Sequence, residues 1–200
     1  MKIIDVVQGT EEWLEARRGI PTASNFDKIV TSKGEPSKQR TKYLYKLAGE
    51  RISGTREESY TNVHMERGKE MESEARKLYE FHTGLEVEQV GFCLTDDGKV
   101  GASPDGICVS GLLEIKSPSM AVHVGYLLDG KVPTDYFQQV QGGLYVAEKE
   151  WCDFVSYYPG INSLIVRMKR DKVFIEKLAV ELEIFNEELE NIVKKIEDYK

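Results

Sequence analysis

The chain has 200 residues and a net charge of −7, with 40% hydrophobic and 30% charged residues. A chain of this length can bury roughly 70% of its unfolded surface, so one domain needs no disulfide or metal to hold a core. No apolar run approaches the ~20 residues that cross a bilayer, and Met1-Lys2-Ile3-Ile4-Asp5 does not open a secretory signal, so no membrane partner and a cytoplasmic location are expected.

Cys93, Cys108 and Cys152 are three in number and widely spaced. They form no C-x-x-C pair for zinc or redox work and cannot supply the thiolates of an ordinary iron–sulfur cluster. Buried free thiols are expected. The charge is unevenly spread. Between residues 16 and 51, nine Lys or Arg face three acids, leaving that stretch at +6 and the remainder at −13. An acidic body with one basic face can still focus a polyanion into a channel.

Taken in chain order, Thr10 or a neighbour caps a short helix that carries Trp13 and ends at Arg17-Arg18-Gly19 before Pro21. A second helix is expected from Thr22-Ala23-Ser24 to about Val30, then a polar loop over Lys33–Ser37 and a helix near 39–52. Residues 62–83 read as a helix stopped by Gly84. Val87, Val90, Phe92 and Leu94 lead as a strand into the hairpin signal Thr95-Asp96-Asp97-Gly98, with the strand resuming at Val100. Ser103-Pro104-Asp105-Gly106 reads as a turn, and Leu112–Lys116 as a short strand. Residues 134–148 read as a helix whose Gly142-Gly143 pair implies close helix–sheet packing. Strands follow at 151–158 and 163–169. A long helix from 171 to 199 carries Leu178, Leu182, Phe185, Leu189, Ile192 and Ile196 on one stripe. The fold class expected is mixed α/β (α+β), a central mixed sheet flanked by helices. The organisation expected is a single domain over 1–200, with N-terminal helices in 10–52, a core over 62–170 and a C-terminal helix over 171–199.

The chemistry is concentrated in Asp105, Glu114 and Lys116. Glu114 and Lys116 are two apart on a strand and therefore share a face. Two carboxylates at strand ends suit a hard divalent cation, and an ammonium beside them can orient water toward a phosphodiester. The D…E-x-K spacing alone also describes an exposed cross-strand ion pair.

Four segments extend the pattern: Gln8-Gly9-x-x-x-Trp13-x-x-x-Arg17-x-Gly19 with Thr22-Ala23-Ser24; Gly68-Lys69-x-x-Glu72-x-x-Ala75-Arg76; Ser103-Pro104-Asp105-Gly106 with Glu114-x-Lys116-x-Pro118; and Gln139-Val140-Gln141. Together, over about residues 5–160, they resemble the phage-type alkaline exonucleases, the lambda exonuclease and viral-recombinase branch of the PD-(D/E)xK nucleases. The resemblance implies a restriction-endonuclease-like core. It assigns Asp105, Glu114 and the Ile115 carbonyl to the metal, Lys116 to catalysis, and Glu72 to completion of the metal site. It also places Gln139 near the metals, and Arg17 and Ser24 at the 5′ phosphate of DNA. Lys33 stands near the place of a family arginine. Each residue has a plainer role open to it. Glu72 could belong to a helix-surface ladder with Lys69 and Arg76, Trp13 to the core or to DNA contact, Arg17 to a helix end, and Gln139 and Gln141 to helix surface. His64, His82 and His123 read as neither ligands nor bases.

The resemblance further implies a Mg²⁺-dependent exonuclease degrading duplex DNA ends 5′ to 3′. It would release 5′-phosphomononucleotides and leave a 3′ overhang for phage-type recombination in a host cytoplasm. Two Mg²⁺ per site, with Mn²⁺ able to substitute, a homotrimer and a single-strand annealing protein as partner belong to the same implication. A structure-specific or restriction-like endonuclease is the alternative, and a non-catalytic DNA-binding module is a third.

Overall fold

The computed structural model describes residues 1–57 and 63–199, and of 63–70 the backbone alone. Its strands fall into two sheets. β1 (Lys2–Ile4), β2 (Phe92–Leu94) and β3 (Gly101–Ala102) form an antiparallel three-stranded sheet. β4 (Gly106–Ile107), β5 (Gly111–Lys116), β6 (Trp151–Ser156) and β7 (Leu164–Lys169) form a mixed one, in which β5 and β6 run parallel and the other pairs antiparallel. Around them lie α1 (Glu11–Ala16), α2 (Arg40–Ser53), α3 (Val63–Thr83), α4 (Met120–Asp129), α5 (Phe137–Ala147) and α6 (Lys172–Glu197). The mixed α/β class with flanking helices is the one the sequence implies.

The side-chain alternation of β5 sorts its two faces. Leu113 and Ile115 pack with Ala75 and Tyr79 of α3 and with Val155. Leu112 packs on the opposite side, in the core that holds Val140 and Leu144 of α5 and Cys152. Glu114 and Lys116 share the Leu112 side and therefore face α5. A parallel pair needs a long crossover, and between β5 and β6 the chain uses α4 and α5 for it.

Several elements differ from expectation. The helix expected over 22–30 is a 3-10 helix over Ala23–Lys28. Its tighter turn sets Ala23 and Phe26 three residues apart on one buried face, and Ile29 and Val30 then leave it as fully buried loop residues. The helix expected over 134–148 begins as a 3-10 turn, Thr134–Tyr136, before α5. The strand expected from Val87 forms only from Phe92, with Glu88 making an isolated bridge to Ile107. Gly106, expected in a turn, already pairs with Leu113. The expected helix start at 62 lies outside the described residues. α6 buries its stripe from Phe174 to Leu189, whereas Ile196 is 49% exposed. Asp171 caps it, accepting from the Phe174 N–H at 3.0 Å.

β1 and α4 had no signal. β1 is three residues whose partner lies some ninety positions away. α4 is apolar nearly all round, Met-Ala-Val-His-Val-Gly-Tyr-Leu-Leu, with His123 its fully buried residue. Such a segment shows no helical stripe to read. The His123 imidazole bonds to Ser156 Oγ (2.7 Å) and the Asn162 carbonyl (3.0 Å), a packing role. All three cysteines are buried and free.

The adjacent glycines of α5 serve two contacts. A Cβ at Gly142 would meet Phe26 ring carbons at 2.3 Å and 2.6 Å, and one at Gly143 would meet Leu112 at 3.3 Å. Gly143 therefore provides the expected approach to the sheet, while Gly142 admits the 3-10 helix. Gly142→Ala should destabilise by about 1–3 kcal/mol through overpacking. Gly125→Ala in α4, where nothing lies within 4 Å, should stabilise by about 0.5–1 kcal/mol. Urea-unfolding midpoints of the two variants should move in opposite directions.

Candidate active site

The site forms where β4 ends and β5 continues. The Asp105 N–H donates to the Leu113 carbonyl at 3.1 Å, the last backbone bond of that ladder. Two residues further along β5, the Ile115 N–H has no strand opposite it. It donates instead to Asp105 Oδ2 at 2.6 Å. The N–H and C=O of a strand residue face the same neighbour, so the Ile115 carbonyl opens on the edge where the Asp105 carboxylate sits.

The turn carrying Asp105 is held from two sides. Arg76 of α3 donates to the Asp105 carbonyl from Nε (3.3 Å) and Nη2 (3.1 Å) and pairs with Glu72. Gln8 Nε2 donates to the carbonyls of Pro104 and Val90, both at 2.9 Å. On the α5 side, Glu114 is buried, and its Oε1 accepts from Lys116 Nζ and from Gln139 Nε2, each at 2.5 Å. The Lys116 ammonium also lies 5.2 Å from the centre of the Tyr136 ring.

Electrostatics follow from this crowding. Burial first, then the charges of Glu114 and Glu72, raise the Asp105 carboxyl well above the usual carboxylate range, against the opposing pull of Lys116 and the Ile115 N–H. Burial alone would lower the Lys116 pKa, but the Glu114 and Asp105 carboxylates reverse that and hold it above its ordinary value. The edge thus crowds carboxylates so closely that burial and mutual repulsion disfavour the ionised form of Asp105.

The residues expected at a DNA end meet this site from the N-terminal side. Arg17 Nη1 donates to Ser103 Oγ at 2.8 Å, and Nη2 to Ser24 Oγ at 3.1 Å and Thr22 Oγ1 at 3.4 Å. Its guanidinium lies 4.2 Å from the Trp13 ring centre. Trp13 is itself anchored, its indole N–H donating to Ser103 Oγ (2.9 Å) and the Gly91 carbonyl (3.2 Å). Among the described residues, Arg17 has no carboxylate partner. Burial pushes its pKa down to about 10, so it stays charged at neutral pH.

Two clefts meet the acids. A narrow one of about 30 Å³ is lined by Arg17, Ser24, Ser103, Glu114 and Gln139. A larger one of about 680 Å³ is lined by Gln8, Trp13, Glu72, Arg76 and Asp105. Glu72 therefore reaches the Asp105 turn from the side away from Glu114, with its carboxylate on Arg76. Among the described residues no three His, Cys, Asp or Glu side chains converge on one metal position. Asp105, Glu114 and the Ile115 carbonyl are hard oxygen donors, and the repulsion between the crowded carboxylates is what a cation would relieve. They fit Mg²⁺, which binds through one or two carboxylates and leaves positions for water and substrate phosphate.

Some expected residues sit elsewhere. Lys33 is exposed in a loop whose backbone carbonyl takes Lys177 Nζ at 3.1 Å, and it lines neither cleft. Gln141 is fully buried and holds the β7–α6 junction, donating to the Lys169 carbonyl and accepting from the Asp171 N–H. The side chains of His64 and Lys69 lie outside the described residues. Sequence reasoning assigned no role to Gln8 or Ser103 and read Arg76 only as a helix partner of Glu72, a pair that forms; its contact with the Asp105 carbonyl carried no signal. Arg76→Met should leave the Asp105 carbonyl and Glu72 without their partner and cost about 1–3 kcal/mol, readable as a lowered urea midpoint.

Comparison with known proteins identifies similar folds and the family. The alkaline exonuclease LHK-Exo of Laribacter hongkongensis superposes with a TM-score of 0.85 and 34% identity, over 94% of this chain and 96% of that one. Its complex with dAMP superposes equally well, at 0.85. A phage-related exonuclease of Haemophilus somnus 129PT shares the fold, with a TM-score of 0.69 at 15% identity. An uncharacterized protein of Acanthamoeba polyphaga mimivirus is 31% identical over 169 residues, which are 77% of this chain and 30% of that protein. The chain thus spans under a third of that relative's length. Residues 12–150 match the YqaJ-like viral recombinase domain, a span containing Trp13, Arg17, Asp105, Glu114, Lys116 and Gln139, and the chain belongs to the YqaJ-like viral recombinase family.

Proposed function

We propose that the protein is a metal-dependent exodeoxyribonuclease that shortens one strand of duplex DNA from its 5′ end, releasing 5′-phosphomononucleotides and leaving a 3′ single strand for recombination. One observation carries the reading. Among the described residues, Arg17 is a half-buried cation bonded to neutral hydroxyls and aromatic rings and to no carboxylate, and it lines the same cleft as Glu114 and Gln139. A charge kept unneutralised beside a hydrolytic centre suits a phosphate held next to the bond to be cut.

Mg²⁺, two ions per site with Mn²⁺ able to substitute, would be held by Asp105, Glu114 and the Ile115 carbonyl, with Glu72 completing the set once released from Arg76. Bound there, the metal supplies neutralisation of phosphoryl charge and a more acidic water. The chain's own residues do the positioning. Lys116, fixed by Glu114, donates hydrogen bonds and positive charge toward the reacting phosphate. Gln139 fixes the Glu114 carboxylate from the other side. Arg17 and Ser24 hold the terminal phosphate, Trp13 backs the guanidinium, and Lys33 contacts the duplex outside the clefts. A homotrimeric ring and a single-strand annealing partner complete the proposal on the family resemblance. Light scattering returning the mass of one subunit across working concentrations would remove the ring.

Asp105→Ala and Glu114→Ala should each abolish metal-dependent digestion of linear duplex. Lys116→Ala should lose about 10²–10³ in rate, the worth of one preorganised donor at developing charge. Near-wild-type rates for either acid variant would place the chemistry elsewhere.

The end preference gives a second test. A charge-assisted contact worth ~1.5–3 kcal/mol corresponds to about 10–150-fold. A 5′-phosphorylated duplex should be digested faster than its 5′-hydroxyl counterpart by that factor. Arg17→Ala should erase most of the difference and leave the hydroxyl-ended rate nearly unchanged. Equal wild-type rates on the two ends would reduce Arg17 to a helix-terminal charge.

A further inference from the structure

Arg17 also lines a third cleft, of about 240 Å³, between α1, the 3-10 helix and α2. Most cations around it are neutralised. Arg18 pairs with Glu15, Lys46 with Glu50 and Glu57, and Arg56 with Glu11 and Glu15. Lys28 is different. It is half-buried, its Nζ donates to Asn25 Oδ1 at 2.6 Å and lies 5.5 Å from the Tyr43 ring centre, and among the described residues no carboxylate pairs with it.

Lys28 is tied to Arg17 through one hydrogen-bonded chain. Asn25 Nδ2 donates to Thr22 Oγ1 (3.1 Å) and to Ser24 Oγ (3.3 Å), the same two hydroxyls that Arg17 reaches. Two cations without acidic partners therefore flank one patch of hydroxyls and an amide. The floor beneath is fixed, because the buried Tyr43 hydroxyl accepts from the Thr22 N–H at 3.3 Å. Leaving two part-desolvated positive charges unpaired at the ends of one hydrogen-bonded chain costs stability unless an anion joins them.

We propose that Lys28 supplies the second positive charge of the 5′-end pocket and makes it select a terminal phosphate monoester over a phosphodiester. An internal diester carries one negative charge, whereas a terminal monoester carries −1.5 to −2 at neutral pH. Arg17 alone matches the first; Arg17 with Lys28 matches the second. Lys28 is thus a specificity residue remote from the acids, and the inference rests on the proposed 5′-phosphate reading of Arg17.

The test is binding of the full chain, without divalent metal, to one hairpin duplex made with three 5′ ends: phosphate, methyl phosphate and hydroxyl. Methyl phosphate keeps the shape of the group with one charge. Wild type should bind the phosphate end tightest. Lys28→Gln should weaken that end about tenfold, bring it within about twofold of methyl phosphate, and leave the hydroxyl end unchanged. The slope of log Kd against log salt on the phosphate end should fall by about one contact. Lys28→Arg, which keeps the charge, should restore both values, separating charge from a folding defect. Equal weakening on all three ends, an unchanged phosphate-to-methyl-phosphate ratio in Lys28→Gln, or failure of Lys28→Arg to restore it would overturn the proposal. If wild type binds phosphate and hydroxyl ends alike, the 5′-phosphate reading itself fails, an outcome distinct from a defect confined to Lys28.

Discussion

The hydrogen bond from the Ile115 N–H to the Asp105 carboxylate is the constraint on which the site depends. β4 is two residues long and β5 is six, so β5 continues past its partner with a backbone donor facing no strand. A buried N–H left unpaired is costly. Here a carboxylate takes the place of the missing strand. That one substitution fixes the direction of Asp105, leaves the Ile115 carbonyl open beside it, and sets both across from Glu114. Arg76 and Gln8 hold the Asp105 turn by its own and its neighbour's carbonyls, so the acid is positioned without either group touching its oxygens.

Charge is partitioned as carefully as shape. The acids crowd at the strand edge, where burial and mutual repulsion drive Asp105 toward protonation. Lining the same cleft as Glu114, Arg17 stands among hydroxyls with no acid to meet it among the described residues. Each half is electrostatically incomplete, one lacking cations and the other an anion. In the proposed function a metal ion and a DNA phosphate would complete them together. That arrangement would reconcile a net charge of −7 with a polyanionic substrate, because the field that matters is local.

Legibility from sequence followed the range of the interactions. Helices with caps and stripes, such as the Asp171-capped α6 with Phe174 to Leu189, were readable because their signals lie within a few turns. The D…E-x-K core was readable because strand alternation puts Glu114 and Lys116 on one face. α4 was not, since an apolar segment without a polar face carries no period. β1 was not, since its only reason to be a strand is β2, far along the chain. Within the site, the motifs named Gln8 and Ser103 without giving them work, and Arg76 only as the local partner of Glu72; the missed roles are contacts to backbone and side-chain hydroxyl groups across long separations. Gln139 and Gln141, identical in type and two apart, show the limit clearly. Helical geometry turns one to Glu114 and the other to the β7–α6 junction, and spacing alone does not say which.

The central claim is an ordered, metal-dependent attack from one end, and it is tested most directly on a single linear duplex carrying distinguishable labels at the 5′ and 3′ termini of one strand. With Mg²⁺, the account predicts that the 5′ label is released first, as a mononucleotide, while the 3′ label stays on a shortening strand; with chelator, neither is released. Early release of the 3′ label, internal fragments carrying either label, or digestion that proceeds without metal would contradict it.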